Sequence, residues 1–258
     1  MLKIFTIAHK RPDFIELQLN SFHKYLKEDF QFVVFNNAGF DDDRQHYNQI
    51  NEACKRWNLA VIDIRKDQEM VDSYRLTDES CGIFNAQGTY SNSNVADAYP
   101  VQWSWKNYIS NETGAVCMLH SDMFLTEDVT LTDYLKEYQL CYVMQSRVGG
   151  YEYMWEGFVL LDMAKLPDPK SMSWFCGRID NVGVDVGGLT HYYLQAHPEL
   201  KKLGIGPEHH HDDPELQYEF LWLKDKKILH YGAGSNWNRR TQQYHDNKTE
   251  WMRRLLGI

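Results

Sequence analysis

The sequence has no apolar run that approaches the ~18–20 residues needed to span a membrane, and its N-terminus lacks a signal-peptide pattern. It has no CxxC pair, and an odd count of five scattered cysteines argues against a full disulfide framework. Basic residues are not in excess, since 27 Lys and Arg face 36 Asp and Glu and give a net charge of −9. This acidic balance argues against nucleic acid as the main partner. We expect a protein of a reducing, cytoplasmic compartment.

The first 64 residues alternate apolar runs with amphipathic helical stripes. The pattern predicts strands at 3–8, 32–35 and 59–64, with helices that begin at Pro12 and near residues 41–43. This βαβαβ order predicts a parallel sheet with right-handed crossovers. A dinucleotide-binding Rossmann domain has the same order, but the first strand–helix turn contains no GxGxxG.

The rest of the chain gives weaker signals. Residues 65–93 are polar, and we expect a long loop there. A helix is predicted at 94–109, with Pro100 in or near its first turn and with Trp103 and Trp105 mainly in the core. Further predictions are short helices at 130–138 and after 188, strands at 140–145, 158–162 and 228–231, a loop at 149–156, and an amphipathic helix at 248–256.

The stretch AVCMLHSDMFL, residues 115–125, is the centre of the sequence argument. It reads as a buried strand that ends in His120, Ser121 and Asp122, followed by three more apolar residues. Ligands of open α/β sheets bind outside the carboxyl ends of such strands. Asp122 is therefore expected at the mouth of a cleft, although an acid at a strand end can also simply cap a turn.

Four motifs carry a family resemblance: ITIAHKRPDFIELQLNS near the start, FVVFNNAG, LHSDMFL, and the late LHYGAGSNW. In this order they resemble nucleotide-sugar-dependent glycosyltransferases of the GT-A fold, of viral or bacterial type. The resemblance implies an α/β, Rossmann-like single domain with a mostly parallel central sheet and flanking helices. It also implies a nucleotide-sugar-binding half, 1–125, and an acceptor-binding half, 126–258, that carries the C-terminal metal and diphosphate motif.

The activity implied by the resemblance is transfer of a hexosyl or pentosyl group from a nucleoside-diphosphate donor, with a UDP-sugar favoured. The acceptor would be a hydroxyl of a glycan or glycoprotein, and a divalent cation would assist, Mn²⁺ rather than Mg²⁺. HSD stands where the family has DxD, so His120 replaces the first acid, and imidazole suits Mn²⁺ better than Mg²⁺. The metal ligands implied in this way are Asp122, His120 and His230.

The same resemblance implies a set of residues that bind the nucleotide or donor, at the ends of the first two strands, beside Asp122 and in the late glycine turn. They are Thr6, Ala8, His9, Arg11, Asn36, Asn37, Ser121, Gly232, Gly234 and Ser235.

Three acids of the second half are candidate catalytic residues. Asp185, in GVDVGG, precedes a predicted helix and could be the base of an inverting reaction, or it could cap the helix. Glu156, in MWEGF, has aromatic neighbours that would raise its pKa, or it could be a partly buried acid paired with Arg. Asp180 is the third candidate. In a retaining enzyme these acids would bind sugar hydroxyls instead.

Two other functions are compatible with the sequence. A metal-dependent hydrolase or phosphoesterase could use His120, Asp122, His230 and the run HHHDD at 209–213. A carbohydrate-binding protein without catalysis could use the Trp- and Tyr-rich loops. We interpret residues 209–213 as a solvated loop on the acceptor side, because adjacent side chains do not converge easily on one ion.

Overall fold

The computed structural model describes residues 1–38, 43–77, 93–208, 221–232 and 241–258 of the 258-residue chain. The strands are β1 (Leu2–Ala8), β2 (Phe30–Asn36), β3 (Ala60–Asp63), β4 (Ala115–Leu119), β5 (Met123–Leu125), β6 (Leu140–Arg147), β7 (Tyr151–Asp162), β8 (Gly177–Ile179), β9 (Val182–Val184), β10 (Lys202–Ile205), β11 (Pro207–Glu208), β12 (Leu221–Leu223) and β13 (Ile228–His230). The α-helices are α1 (Pro12–Tyr25), α2 (Arg44–Arg56), α3 (Gln68–Thr77), α4 (Ser93–Asn107), α5 (Thr190–Ala196) and α6 (Gln242–Leu256). Short 3-10 helices cover Ile109–Asn111, Leu131–Lys136 and Pro169–Ser171.

The main sheet has seven strands in the order β10-β6-β7-β4-β1-β2-β3. All neighbouring pairs are parallel except those of β7, which runs antiparallel to both β4 and β6. The prediction of a mostly parallel central sheet is therefore confirmed. A second sheet, β11-β12-β13-β5, is antiparallel and continues from the end of β4, while β8 and β9 form a hairpin.

Apolar side chains cover both faces of the main sheet, as expected for its continuous apolar strands. Phe5 belongs to the cluster that contains the α4 side chains, and its neighbour Ile4 belongs to the cluster that contains α1 and α2. Trp103 and Trp105 are buried in the first cluster, as predicted. A third cluster joins α1, β5, β13 and α6. None of the helices in the described ranges is both long and apolar enough to cross a membrane.

The first three strands, α1 and the helix near residue 43 agree with the predictions to within a few residues. Pro12 occupies the first turn of α1 and Asp43 caps α2 by accepting from the His46 amide, 3.2 Å. The helix predicted at 248–256 begins earlier, and Thr241 caps it.

Three local predictions are wrong. The long loop expected at 65–93 contains α3, because the Asp67 side chain caps it by accepting from the Met70 amide, 3.0 Å, and Met70 is buried. The loop expected at 149–156 belongs largely to β7, because its alternating aromatic residues pair along β6. Pro100 lies well inside α4 rather than in its first turn.

Candidate functional site

The turn between β4 and β5 is held in place by backbone contacts. The His120 amide donates to the Gly157 carbonyl, 2.8 Å, and the Met123 amide donates to the His120 carbonyl, 3.0 Å. The Gln18 side-chain amide on α1 donates to both the His120 and the Met123 carbonyls, 2.8 and 3.0 Å. Because β4 anchors one side of this turn and β5 the other, the side chain of Asp122 has a defined position at the carboxyl edge of the sheet.

Asp122 is 2% exposed and is bracketed by two imidazoles. Its Oδ1 lies 2.5 Å from Nδ1 of His120 and 3.3 Å from Nε2 of His230. Burial alone would raise the pKa of Asp122, but the charges of the two histidines hold it well below its usual range. Burial would likewise lower the pKa of His120, and the Asp122 carboxylate raises it instead. The acid is therefore ionised across the neutral range.

His230 reaches Asp122 from the second sheet. It pairs with Met123 in the β13–β5 ladder, and the next residue, Tyr231, donates its amide to the Asp122 carbonyl, 2.8 Å. The ligand atoms of His120, Asp122 and His230 all lie within 4.8 Å of one another. Two imidazoles and one carboxylate are a donor set that can bind a divalent transition-metal cation. The residues thus fit a metal ion.

An aromatic ring packs against this group. The Trp155 indole centroid lies 5.2 Å from the His230 ring and 6.2 Å from the His120 ring. Trp155 is half-buried and lies on β7, in the segment that the sequence predicted to be a loop. No local sequence pattern indicated that Trp155 would lie beside the two histidines. The pairing of β6 with β7 directs Trp155 toward them, and the register of these two strands is not encoded locally.

Glu156 follows Trp155 and lies beside His120 at an apolar cavity under the carboxyl ends of β1, β2 and β4. The side chain is 6% exposed, and its Oε2 has no hydrogen-bond partner among the described residues. Burial raises its pKa to about 8, and the charges of Asp97 and Asp185 act in the same direction. The cavity is lined by Phe5, Ile7, Phe35, Val101, Ile109, Met118, Leu119, His120 and Glu156.

Asp97, on α4, is a site residue that the sequence reasoning missed. Its side chain is open to solvent, yet protein surrounds the carboxyl closely enough to raise its pKa to about 6. Asp122 and Asp185 contribute to that rise, while His120 opposes it, so Asp97 lies within electrostatic reach of the turn that carries His120 and Asp122. Asp97 is the one acidic residue in the α4 sequence, and this was the only sequence feature that could have indicated it as a site residue.

Asp185 and Asp180 lie in different settings. Asp185 follows β9, accepts from the Val186 amide, 2.9 Å, and lies 4.0 Å from the Arg147 guanidinium. Its charge contributes to the raised pKa values of Asp97 and Glu156, so it lies within electrostatic reach of both acids. Asp180 lies at the β8–β9 turn with φ of 46°, followed by Asn181 with φ of 69°, and accepts from the Tyr151 hydroxyl, 3.0 Å. A tight two-residue hairpin turn requires positive φ at both of its residues, and the turn therefore explains the presence of Asp180 and Asn181 at these positions.

The predicted donor-binding residues of β1 and β2 are buried. Ala8 is fully buried, and the Thr6 Oγ1 has no partner in the described part of the chain. Asn36 is satisfied internally, since its Nδ2 donates to the Tyr47 carbonyl, 3.1 Å, and its Oδ1 accepts from the Ala38 amide, 3.1 Å. Asn37 differs, because its buried Oδ1 has no partner within the described ranges.

His9 and Arg11 lie just beyond the end of β1. Burial, followed by the charge of Lys10, lowers the pKa of His9 to about 4, so its imidazole is neutral. Arg11 is 2% exposed and donates to Asp13 at 2.9 and 2.6 Å. Its guanidinium also stacks on the Phe14 ring, 3.6 Å from the centroid. These contacts hold the buried guanidinium against the first turn of α1, and the nucleotide-binding role that the resemblance implies for Arg11 stays a prediction.

Two of the remaining predicted residues, Ser121 and Gly232, belong to the described part of the chain. Ser121 is buried beside Asp122, and Gly232 has a left-handed φ of 66°. Gly234, Ser235 and the run 209–213 lie outside the described residues.

Comparison with solved structures identifies the fold. The chain is similar to the galactosyltransferase LgtC in complex with donor and acceptor sugar analogues, with a TM-score of 0.50 and 13% identity over 99% of this chain and 95% of that chain. It is also similar to mouse xyloside xylosyltransferase 1 (TM-score 0.42, 10% identity, 79% of this chain and 83% of that chain). A further similarity is to GlyE of Streptococcus pneumoniae TIGR4 (TM-score 0.43, 14% identity, 99% of this chain and 63% of that chain). No protein-family model and no curated protein sequence matches the chain. The fold is the GT-A type, as the family resemblance implied.

Proposed function

We propose that this protein is a glycosyltransferase that moves a sugar from a nucleoside-diphosphate donor, a UDP-sugar in the first instance, to a hydroxyl of a glycan or glycoprotein. The observation that carries the proposal is the convergence of His120, Asp122 and His230 at the carboxyl edge of a GT-A sheet. Open α/β sheets bind their ligands at this edge. A diphosphate would be repelled by the acids of this site unless a cation lay between them.

His120, Asp122 and His230 would hold that cation, with Mn²⁺ favoured over Mg²⁺ by the two imidazoles. When bound, it would neutralise the charge that develops on the leaving diphosphate as the glycosidic bond breaks. The protein's own residues contribute by holding the candidate metal ligands in position. Gln18 and the Gly157 carbonyl fix the His120 turn, so the ligands need little rearrangement before the donor binds.

The acids Asp97, Glu156 and Asp185 would bind the sugars. Because its pKa is raised to about 8, Glu156 carries a proton at neutral pH and can donate a hydrogen bond to a sugar oxygen. Asp185 can accept from an acceptor hydroxyl and would be the base if the reaction inverts configuration. In a retaining reaction the same carboxylate would orient that hydroxyl. Asp180, within its hairpin turn, is the weakest of the three predicted catalytic residues.

The test is thermal unfolding with UDP, GDP, CDP and dTDP, each with Mn²⁺, Mg²⁺ or EDTA. A nucleotide at about a hundred times its dissociation constant adds about 2.7 kcal/mol of stability. For a chain of this size that is a Tm rise of about 5–10 °C. We expect it with UDP and Mn²⁺, but not in Asp122→Ala. Asp133→Ala is the matched control, because this exposed acid pairs with Lys136 at the surface and should behave as wild type.

The outcomes separate the alternatives. If no nucleotide stabilises the protein under any condition, the glycosyltransferase proposal fails. Turnover of simple phosphate esters without an acceptor would favour the hydrolase. Glycan binding that Asp122→Ala leaves unchanged, with no transfer by the wild type, would favour a carbohydrate-binding protein.

A further inference from the structure

Gly157 leaves space that the indole of Trp155 fills. A Cβ atom at residue 157 would overlap the six-membered ring of Trp155, so a larger residue cannot occupy this position while the indole stays in place. The Gly157 carbonyl also accepts the His120 amide, 2.8 Å. One residue thus anchors the backbone of a candidate metal ligand and makes room for the ring that packs beside it.

A bulge in β7 brings this pair to the site. Tyr142 of β6 pairs with Val159, and the next residue, Val143, pairs with Trp155, so the residues 156–158 have no partner on β6. On the other side of the strand, Phe158 pairs with Leu119 at the end of β4. Bulges next to functional sites redirect side chains, and this one directs Trp155 toward the turn that carries His120.

The indole contacts both imidazoles at once. Its plane is inclined by 57° to the His230 ring and by 30° to the His120 ring, at the centroid distances of 5.2 and 6.2 Å. The two imidazoles are themselves nearly perpendicular, at 87°. Aromatic pairs at these distances have a preferred geometry, so the indole restricts the orientation of both rings.

We propose that Trp155, seated over Gly157, is a positioning residue for the metal centre: it holds His120 and His230 in the orientations in which their nitrogens converge with Asp122. The inference rests on the proposed metal site. Groups that orient metal ligands without touching the ion commonly change metal affinity by about 10–100-fold when they are removed. Here the orientation would come from ring packing on two ligands rather than from a hydrogen bond to one.

The test is Mn²⁺ affinity, measured by isothermal titration and by the EPR signal of free Mn²⁺, without nucleotide. We expect the dissociation constant to rise by about 10–100-fold in Trp155→Ala. Trp155→Phe, which keeps a smaller ring, should fall between Trp155→Ala and wild type. Gly157→Ala should weaken binding because the new methyl group displaces the indole. Trp57→Ala is the matched control, since that indole is 38% exposed at the end of α2 and should leave the affinity unchanged.

Unchanged Mn²⁺ affinity in folded Trp155→Ala and Gly157→Ala would overturn the inference while leaving the proposed function intact. If wild type binds no Mn²⁺, the metal-assisted part of the proposed function fails together with the inference. If circular dichroism shows that Trp155→Ala does not fold, Trp155→Phe decides, and wild-type affinity in that variant overturns the inference. Wild-type protein labelled with 5-fluorotryptophan gives an independent readout, because Mn²⁺ should broaden the ¹⁹F resonance that Trp155→Phe removes. A sharp resonance at saturation would contradict the proposal.

Discussion

Replacing Glu156 with Gln is expected to stabilise the metal-free protein at alkaline pH and to matter little near pH 4.5. The carboxyl is 6% exposed, and burial raises its pKa from 4.5 to about 8. Below pH 4.5 it is protonated in the folded and the unfolded chain alike. As the pH rises toward 8, the unfolded chain releases this proton and the folded protein retains it, so the free energy of unfolding falls.

The size of the effect follows from the pKa. A shift from 4.5 to about 8 corresponds to a loss of about 5 kcal/mol of stability by pH 8. Water entry and local rearrangement reduce the cost of a buried charge, so we expect an observed loss of at least about 2 kcal/mol. A glutamine side chain has no proton to lose at these pH values, and the Glu156→Gln variant should avoid this loss.

The assay is urea unfolding in EDTA at intervals from about pH 4.5 to about pH 8.5, comparing wild type with Glu156→Gln. The difference in unfolding free energy between the two proteins should grow with pH across this window. Glu152→Gln is the matched control, because Glu152 lies on the same strand and is exposed. A difference that stays constant from acid to alkaline pH would show that Glu156 ionises normally and would refute the argument from burial.

Three further predictions concern single side chains. Arg11→Lys loses the bidentate contact with Asp13 and should lower the free energy of unfolding, measured in urea, by about 1–3 kcal/mol. Nucleotide affinity should stay at the wild-type value. Weaker affinity would support the nucleotide role that the resemblance implies. Gly187→Ala should lower the free energy of unfolding by about 2 kcal/mol or more, because φ is 78° and the methyl group would overlap the Met154 carbonyl oxygen. A variant as stable as wild type would contradict the described backbone. Asp97→Asn should raise the KM for the donor by about 10–100-fold and leave Mn²⁺ affinity unchanged, and a loss of Mn²⁺ binding would instead make Asp97 part of the metal centre.

Local patterns were enough to predict the first three strands, β4 and the starts of α1 and α2, but not α3 or the position of Pro100 within α4. Apolar runs at β1, β2 and β4 are long and continuous, and Pro12 marks a helix start, so periodicity and capping chemistry agree there. The aromatic segment before Glu156 was misread, because its tyrosines and tryptophan suit either a loop that binds sugar or a strand. Pairing with β6 decides between the two, and that pairing is a tertiary contact.

The sequence itself joined candidate site residues where one strand end carries them, whereas His230, from another sheet, was joined to them only through the family resemblance. His120 and Asp122 are two residues apart, and the structure brings His230 to them through the β5–β13 ladder. Asp97 and Trp155 reach the same place from α4 and from the bulge in β7, and no sequence spacing records that approach. Arg11 matches a motif and is held by Asp13 and Phe14, so its contacts alone do not decide the nucleotide role implied by the resemblance, which stays a prediction.

The candidate metal ligands come from two sheets and from positions roughly a hundred residues apart in the chain. An ion shared by Asp122 and His230 would therefore act as a cross-link that closes a long loop, in addition to any part in catalysis. Cross-links of this length remove conformational entropy from the unfolded chain, and metal binding of this kind contributes directly to folding. The pairing of β5 with β13 would then be weaker without metal and would be stabilised as the ion binds. A chelator should therefore destabilise the C-terminal strands before it affects the main sheet.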